Sequence, residues 1–188
     1  MKNLQSLQQA VRSGKKYHYL HFWSHRARYP GSIDASCLSQ WSAAPFELDG
    51  FHYPTAEHYM MAEKARVFED VEIEQKVLAS TDPCAAKKLG RQIVSFNNKV
   101  WMKYRFDIVV RGNVAKFSQN EPMGRFLIET GNKVLVEASP NDDVWGIGLT
   151  GNDAGAHNPL KWPGLNLLGF ALMAARDAIT NVATEENA

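Results

Sequence analysis

Leu4, Leu7 and Val11 repeat at helical spacing among polar neighbours, so the chain opens on an amphipathic helix or arm over residues 1–16, set off by Gly14. Tyr17 to Trp23 is aromatic-rich and reads as a strand, and Ser24 to Gln40 has the composition of an irregular loop. Phe46-Glu-Leu-Asp49-Gly50-Phe-His-Tyr53 predicts two short strands about a tight Asp-Gly turn. Pro54 stops the second strand, and the Thr55 hydroxyl caps a helix over Ala56 to Phe68. Three more helices follow. Val71 to Leu78 aligns Ile73 with Val77, Pro83 to Leu89 lies between an Asp82 cap and Gly90, and a long helix from about Asn98 to Phe117 shares Trp101, Tyr104, Ile108 and Ala115 on one face. Ser118 to Glu121 has capping-box form ahead of a short helix, Met123 to Glu129, which Gly131-Asn132 closes. Lys133 to Glu137 is the one interior run with strand chemistry, and it empties into a Gly-, Asn- and Asp-rich loop from Pro140 to Gly164. A last helix, Asn166 to about Asn181, turns Leu168, Leu172, Ala175 and Ile179 inward. The pattern predicts a mainly α (α+β) fold: one multihelical domain over residues 17–182 with a β-hairpin and minor sheet, an N-terminal helical extension of residues 1–16 and a tail of residues 183–188.

Composition narrows the classes. A chain of 188 residues, 45% hydrophobic, is long enough to bury one sizeable core. With 21 basic against 20 acidic residues there is no overall field to draw it onto nucleic acid or a membrane. Two cysteines, Cys37 and Cys84, lack metal-ligand spacing and are too few for a disulfide framework, which points to reduced thiols and a cytoplasmic location. No run reaches membrane-spanning length, and the N-terminus lacks the continuous apolar core of a signal peptide. His18, His21 and His25 do not make a metal set, because His18 and His21 face opposite sides of a strand. GxGxxG, P-loop and GxSxG motifs are absent, so neither a cofactor nor a metal is expected.

Glu57 carries the first candidate chemistry. It sits near the second position of its helix, where free N–H groups and the helix dipole favour the ionised form, although first-turn glutamates are also ordinary cap decoration. Lys64 follows on the same face about two turns on, with Met60 and Met61 between. A carboxylate and an amine at the ends of an apolar face can close on a small ligand. Asn141-Asp142-Asp143-Val-Trp145-Gly146-Ile-Gly148 reads as a sugar-binding corner, with a carboxylate for hydroxyls, an indole to stack and glycines for close backbone approach. The same residues also fit an Asx turn with a packed tryptophan. Glu57 and Asp142 together suit cleavage of a glycosidic bond, whose anomeric carbon gains positive charge in the transition state. Lys64 offers a second route, attack as a desolvated neutral amine to give an imine, or it is an ordinary surface or ion-paired lysine. Lys87, Lys88 and Arg91 form a basic group that suits phosphate, or simply solvates a helix.

Phe46 to Lys64, Ala85-Ala-Lys-Lys-Leu-Gly90-Arg91, Trp101, Asn141-Asp142-x-x-Trp145-Gly146-x-Gly148 and Asn166-x-Leu168-Gly169 occur in an order and spacing that resemble the NADAR, or YbiA-like, family, from about Phe22 to the final helix. The resemblance implies a mainly helical fold and an N-glycosidase site for ribosylated nucleotides related to NAD and ADP-ribose. Some family members hydrolyse phosphoribosylamino intermediates of riboflavin synthesis, and others remove ADP-ribose from guanine in nucleic acid. By position it implies Glu57, Lys64 and Asp142 as catalytic residues, and Trp101, Trp145, Arg91, Gly146, Gly148, Asn166, Ser39 and Phe22 as substrate-binding ones. The implied partner is a small phosphoribosyl or ADP-ribosyl substrate, with nucleic acid only as an ADP-ribosylated substrate and no membrane. Where the family commonly reads Phe-Ser-Asn-Phe, this chain has Leu38-Ser39-Gln40-Trp41, which lengthens the amide by a methylene and enlarges the aromatic. That departure bears on substrate choice more than on the reaction. A module that binds ADP-ribose or NAD without turnover is the third alternative.

Overall fold

The structure, a computed structural model, describes residues 3–185, and side chains through residue 181. Residues 186–188 of the expected tail and the first two residues of the N-terminal extension lie outside that range. In chain order the described elements are α1 (Leu4–Arg12), β1 (Tyr19–Phe22), β2 (Phe46–Leu48), β3 (Phe51–Tyr53), α2 (Ala56–Val67), α3 (Val71–Ala79), α4 (Pro83–Gly90), α5 (Asn98–Gln119), α6 (Glu121–Glu129), β4 (Val134–Glu137) and α7 (Leu167–Glu185). Single 3-10 turns cover Ala35–Leu38 and Pro159–Lys161. The fold is mainly α with a minor sheet.

Local chemistry sets the pieces. Asp49 and Gly50 both take positive φ, 55° and 80°, which matches the right-handed twist of the two strands they join. The Arg111 guanidinium, projecting from α5, grips Asp49 through two bonds of 2.7 and 2.6 Å and so ties the hairpin to the helices. Thr55 is extended at φ −148°, and its Oγ1 accepts the His58 N–H that begins α2. Farther on, the capping box expected at Ser118 does not form. Instead α5 continues to Gln119, whose carboxamide exchanges two bonds with the Glu47 backbone, and Asn120 donates to the Pro45 carbonyl. Pairing with the hairpin outweighs the local cap.

β1 and β4 pair in parallel, Tyr19 against Val134 through Phe22 against Glu137, so the strands that bracket the whole helical middle lie side by side. Helix α7 covers β4, which is why Val134, Leu135 and Val136 are all buried without alternation. The approach is close: a Cβ on Gly169 would stand 2.0 Å from the Leu135 carbonyl oxygen. Helix α5 packs on both α2 and α7. Its buried line is Trp101, Arg105, Val109, Asn113 and Lys116, whereas Tyr104, expected inside, is 50% exposed. Polar groups occupy that line because the segment at residues 37–40 offers acceptors: the Lys116 ammonium donates to the carbonyls of Cys37 (2.7 Å) and Ser39 (2.9 Å). Burial lowers the Lys116 pKa to about 8, against a small opposing pull from Cys37.

The long loop after β4 is folded back on itself. Ile147 N–H donates to the Glu137 carbonyl, Gly164 N–H to that of Ile147 and Leu165 N–H to that of Asp143. Helix α1 rests on its far turn, with Leu7 fully buried and Gln8 donating to the Pro159 carbonyl at 2.9 Å. Cys37 and Cys84 are free thiols. No helix among the described residues is long and apolar enough to cross a membrane.

Candidate active site

Helix α2 is buried along most of its length, and Glu57 in its first turn is 2% exposed. Its N–H donates to the Gln40 carbonyl at 3.0 Å, which butts the helix start against the segment Ser39-Gln40-Trp41. The carboxylate therefore points into a cavity of about 170 Å³, lined by Ser39, Gln40, Trp41, Met60, Met61, Lys64, Lys87, Arg91, Trp101, Glu137, Asp142, Trp145 and Leu168. Each wall follows from the fold: α2 supplies the carboxylate, methionines and lysine, α4 and the residue that caps it Lys87 and Arg91, the start of α5 Trp101, and the end of β4 with its loop Glu137, Asp142 and Trp145.

Two carboxyls dominate the electrostatics. Burial pushes the Glu57 pKa up to about 7, with Lys87, a hydrogen bond from the Trp41 side chain and Arg91 pulling down and Asp142 pushing further up. The helix dipole that favours its ionised form is thus outweighed by desolvation. Glu137 rises to about 8, again chiefly through burial, then through the charges of Asp142 and Glu57, with Lys87 opposing. Glu57 Oε1 and Glu137 Oε2 are both sealed from solvent and have no hydrogen-bond partner in the protein. Two buried carboxyl groups with unmet hydrogen-bonding capacity on one cavity are a costly arrangement for a fold alone, and such pairs cluster at functional sites.

Lys64 faces them from the same helix. Its ammonium donates to the Gly90 carbonyl at 2.6 Å and lies 4.2 Å from the centre of the Phe96 ring. Its pKa is lowered by burial and then by Arg91, with Glu57 opposing. Asp142 accepts the Val144 and Trp145 N–H groups on one oxygen, Oδ1, at 3.0 and 2.7 Å, an Asx turn that still leaves the carboxylate on the cavity wall. The Asx turn expected of that corner is present, and Trp145 lines the cavity beside Asp142. Trp41 lies between Lys87, 5.8 Å from its ring centre, and His25, whose ring centre is also 5.8 Å away. Six of the lining residues, Ser39, Trp41, Lys87, Arg91, Glu137 and Asp142, also line an outer vestibule of about 540 Å³ that adds Trp23, Ser24, His25, Ser139 and Asn141.

Of the residues singled out in the sequence, Glu57, Lys64, Asp142, Trp101, Trp145, Arg91 and Ser39 come together on the cavity. Four stand outside its wall. Phe22 is buried at the end of β1, and its carbonyl accepts the Ala138 N–H. Gly146 packs against the carbonyls of Glu137 and Asp142, and Gly148 turns at φ 69° beneath Pro163. Asn166, fully buried at φ 55°, accepts the Glu137 N–H on Oδ1 (2.9 Å) and donates from Nδ2 to the Leu135 carbonyl (2.9 Å). It holds the backbone that presents Glu137. Lys88, grouped with Lys87 and Arg91 in the sequence, is exposed and off the cavity. Sequence reasoning missed Glu137; the available signal was a lone acid closing an apolar strand just before a functional loop. Among the described residues, no cluster of three His, Cys, Asp or Glu groups is placed to hold a metal ion.

A family model for the NADAR domain matches residues 21–180. The chain belongs to the NADAR domain family. It is 47% identical over 145 residues to an N-glycosidase of Acanthamoeba polyphaga mimivirus, covering 74% of this chain and 85% of that one. Similarity to N-glycosidase YbiA of Escherichia coli is 30% over 151 residues, 80% of this chain and 86% of that protein. A riboflavin biosynthesis protein of Vibrio vulnificus is 30% identical over 142 residues, 76% of this chain but only 35% of that longer protein. Among solved structures, the NMR structure of Escherichia coli YbiA superposes with a TM-score of 0.70 at 27% identity, covering 91% of this chain and 90% of that one. The NADAR match spans every residue that lines the cavity.

Proposed function

We propose that this chain is an N-glycosidase that hydrolyses the bond between the anomeric carbon of a ribose and the nitrogen of an amine or base, with phosphoribosylaminopyrimidine intermediates of riboflavin biosynthesis as its substrate class. The observation that carries the reading is the pair of buried carboxyls, Glu57 and Glu137, that line one cavity and each keep one oxygen without a hydrogen-bond partner in the protein. The names of the NADAR relatives support the reaction, and that of the Vibrio vulnificus protein supports the substrate class.

Near neutral pH, Glu137 is held protonated and is suited to give its proton to the departing nitrogen. Glu57, close to its midpoint, supplies the ionised carboxylate that stabilises positive charge at the anomeric carbon or takes a proton from the attacking water. Asp142 adds negative charge at the mouth. Trp101 and Trp145 flank the sugar or base, and Arg91 with Lys87 holds phosphate. Lys64 provides the alternative route. Its neutral amine attacks the anomeric carbon and the carbon–nitrogen bond to the leaving group breaks as that nitrogen takes up a proton; the ribosyl-lysine then loses a proton from its nitrogen and opens the ring at the C1′–O4′ bond to give the imine, which water resolves to free sugar and Lys64 amine. For that step it must leave the Gly90 carbonyl and the Phe96 face.

A second reading, removal of ADP-ribose from guanine in nucleic acid, draws support from the vestibule, which has room for a second nucleoside beside Trp23, 55% exposed. Incubating the wild type and Glu57→Gln with phosphoribosylaminouracil and with ADP-ribosylated DNA separates the readings. We expect loss of base from the former, abolished in the variant. Turnover of the DNA alone replaces the substrate class, and tight ADP-ribose binding with no sugar released from either makes the protein a binding module. Borohydride trapping of a sugar adduct that disappears in Lys64→Ala assigns the imine route, and retained activity in Lys64→Ala excludes it.

A further inference from the structure

Gln40 is 7% exposed and lines the inner cavity but not the vestibule. The orientation of its carboxamide is dictated by a chain of buried bonds. The Val109 carbonyl can only accept, so Asn113, itself fully buried, must turn Nδ2 toward it, at 2.8 Å. The same Nδ2 reaches Gln40 at 3.0 Å, which requires Gln40 to present its oxygen. Its nitrogen is thereby turned the other way. Gln40 Nε2 has no protein partner among the described residues and, unlike Glu57 Oε1, keeps some accessible surface, on a residue that lines the cavity. The chain Val109, Asn113, Gln40 therefore ends in a donor of fixed direction.

The ligand atom follows from the neighbours. The Gln40 main-chain carbonyl accepts the Glu57 N–H at 3.0 Å, so the two side chains leave adjoining backbone and approach the same part of a ligand. Lys87 and Arg91 line both compartments and draw phosphate to the shared mouth, whereas Gln40 meets only what lies inside. The inner cavity, about 170 Å³, is the compartment that Glu57 and Gln40 both line, so a pentose whose anomeric carbon meets Glu57 lies within reach of Gln40. We propose, resting on the N-ribosyl reading above, that Gln40 is the residue that recognises ribose, donating from Nε2 to the hydroxyl on the carbon next to the anomeric centre that Glu57 faces. Hydrogen bonds to that hydroxyl strengthen as the anomeric carbon gains charge, so the contact selects ribose over 2-deoxyribose and contributes most in the transition state.

The test compares ribose 5-phosphate with 2-deoxyribose 5-phosphate by titration calorimetry on the wild type and on Gln40→Met, which keeps length and removes the donor. We expect the wild type to bind the ribose form about tenfold more tightly or better, and the ratio to fall to within about threefold of one in the variant. Equal binding of both sugars by the wild type overturns the proposal, as does a ratio that survives in a folded Gln40→Met. Should that variant not fold, Gln40→Asn, which withdraws the amide from Asn113, is read in the same way. Parallel assays of sugar release keep the two claims apart. Sugar preference without turnover upholds the Gln40 assignment and removes the N-glycosidase reading, whereas turnover with no preference does the reverse.

Discussion

Replacing Glu57 by glutamine should abolish activity and yet make the protein more stable at alkaline pH. Glu57 is buried, and its pKa stands at about 7 against an ordinary 4.5. At about 1.4 kcal/mol per pH of displacement, keeping this carboxylate ionised in the fold costs roughly 3 kcal/mol. The sign follows from proton counts. Between about pH 4.5 and 7 the native state holds a proton that the unfolded chain has released, so stability falls as pH rises, and above about pH 7 the full loss is present. Glutamine keeps the shape without the charge. Glu57→Gln should therefore match the wild type near pH 4.5 and exceed it by roughly 3 kcal/mol at about pH 8, or roughly 6–12 °C in Tm for a chain of this size. The Glu57 charge also raises the Glu137 pKa, so its removal eases the second carboxyl and adds to the gain. Urea melts of both proteins at several pH values measure the difference directly. A variant less stable than wild type at pH 8, or a difference that does not change with pH, would refute the reasoning and mean that the N-terminus of α2 and Lys87 outweigh burial.

The same two carboxyls predict a narrow bell for kcat/KM, rising as Glu57 ionises near pH 7 and falling as Glu137 loses its proton near pH 8, both as values of the coupled pair. Steady-state rates for Glu137→Gln should lack the alkaline limb and be lowest on substrates with poor leaving groups. Asn166→Ala removes two buried bonds to β4 and should destabilise by about 2–4 kcal/mol in urea melts while lowering kcat through a displaced Glu137. Lys116→Met leaves the Cys37 carbonyl unsatisfied and the Ser39 carbonyl with only the Ser42 N–H; a loss of about 1–3 kcal/mol, with weakened substrate binding as the Ser39-Gln40-Trp41 segment loosens, is the expected outcome, and unchanged stability would contradict the tether.

The elements of this fold were legible in the chain because each is written locally: Asp49-Gly50 for the hairpin, Thr55 and Asp82 for the helix starts, the apolar run 134–136 for a strand covered on both faces. Much of the cavity wall was legible too, since Glu57, Met60, Met61 and Lys64 share one face of one helix. Tertiary structure alone decided the rest. Helical periodicity placed Tyr104 inside and made no place for Asn113 and Lys116, whose burial depends on acceptors some 70 residues away in sequence. The ionised Glu57 that a helix start favours gives way to a raised pKa, because desolvation is a property of everything packed around a group and no local pattern encodes it. Glu137 reached the cavity wall only when β4 paired with β1 and the loop doubled back. Spacing along a chain fixes which side chains share a face; only packing determines how dry that face is, which carboxyls meet across it, and which way a buried amide must turn.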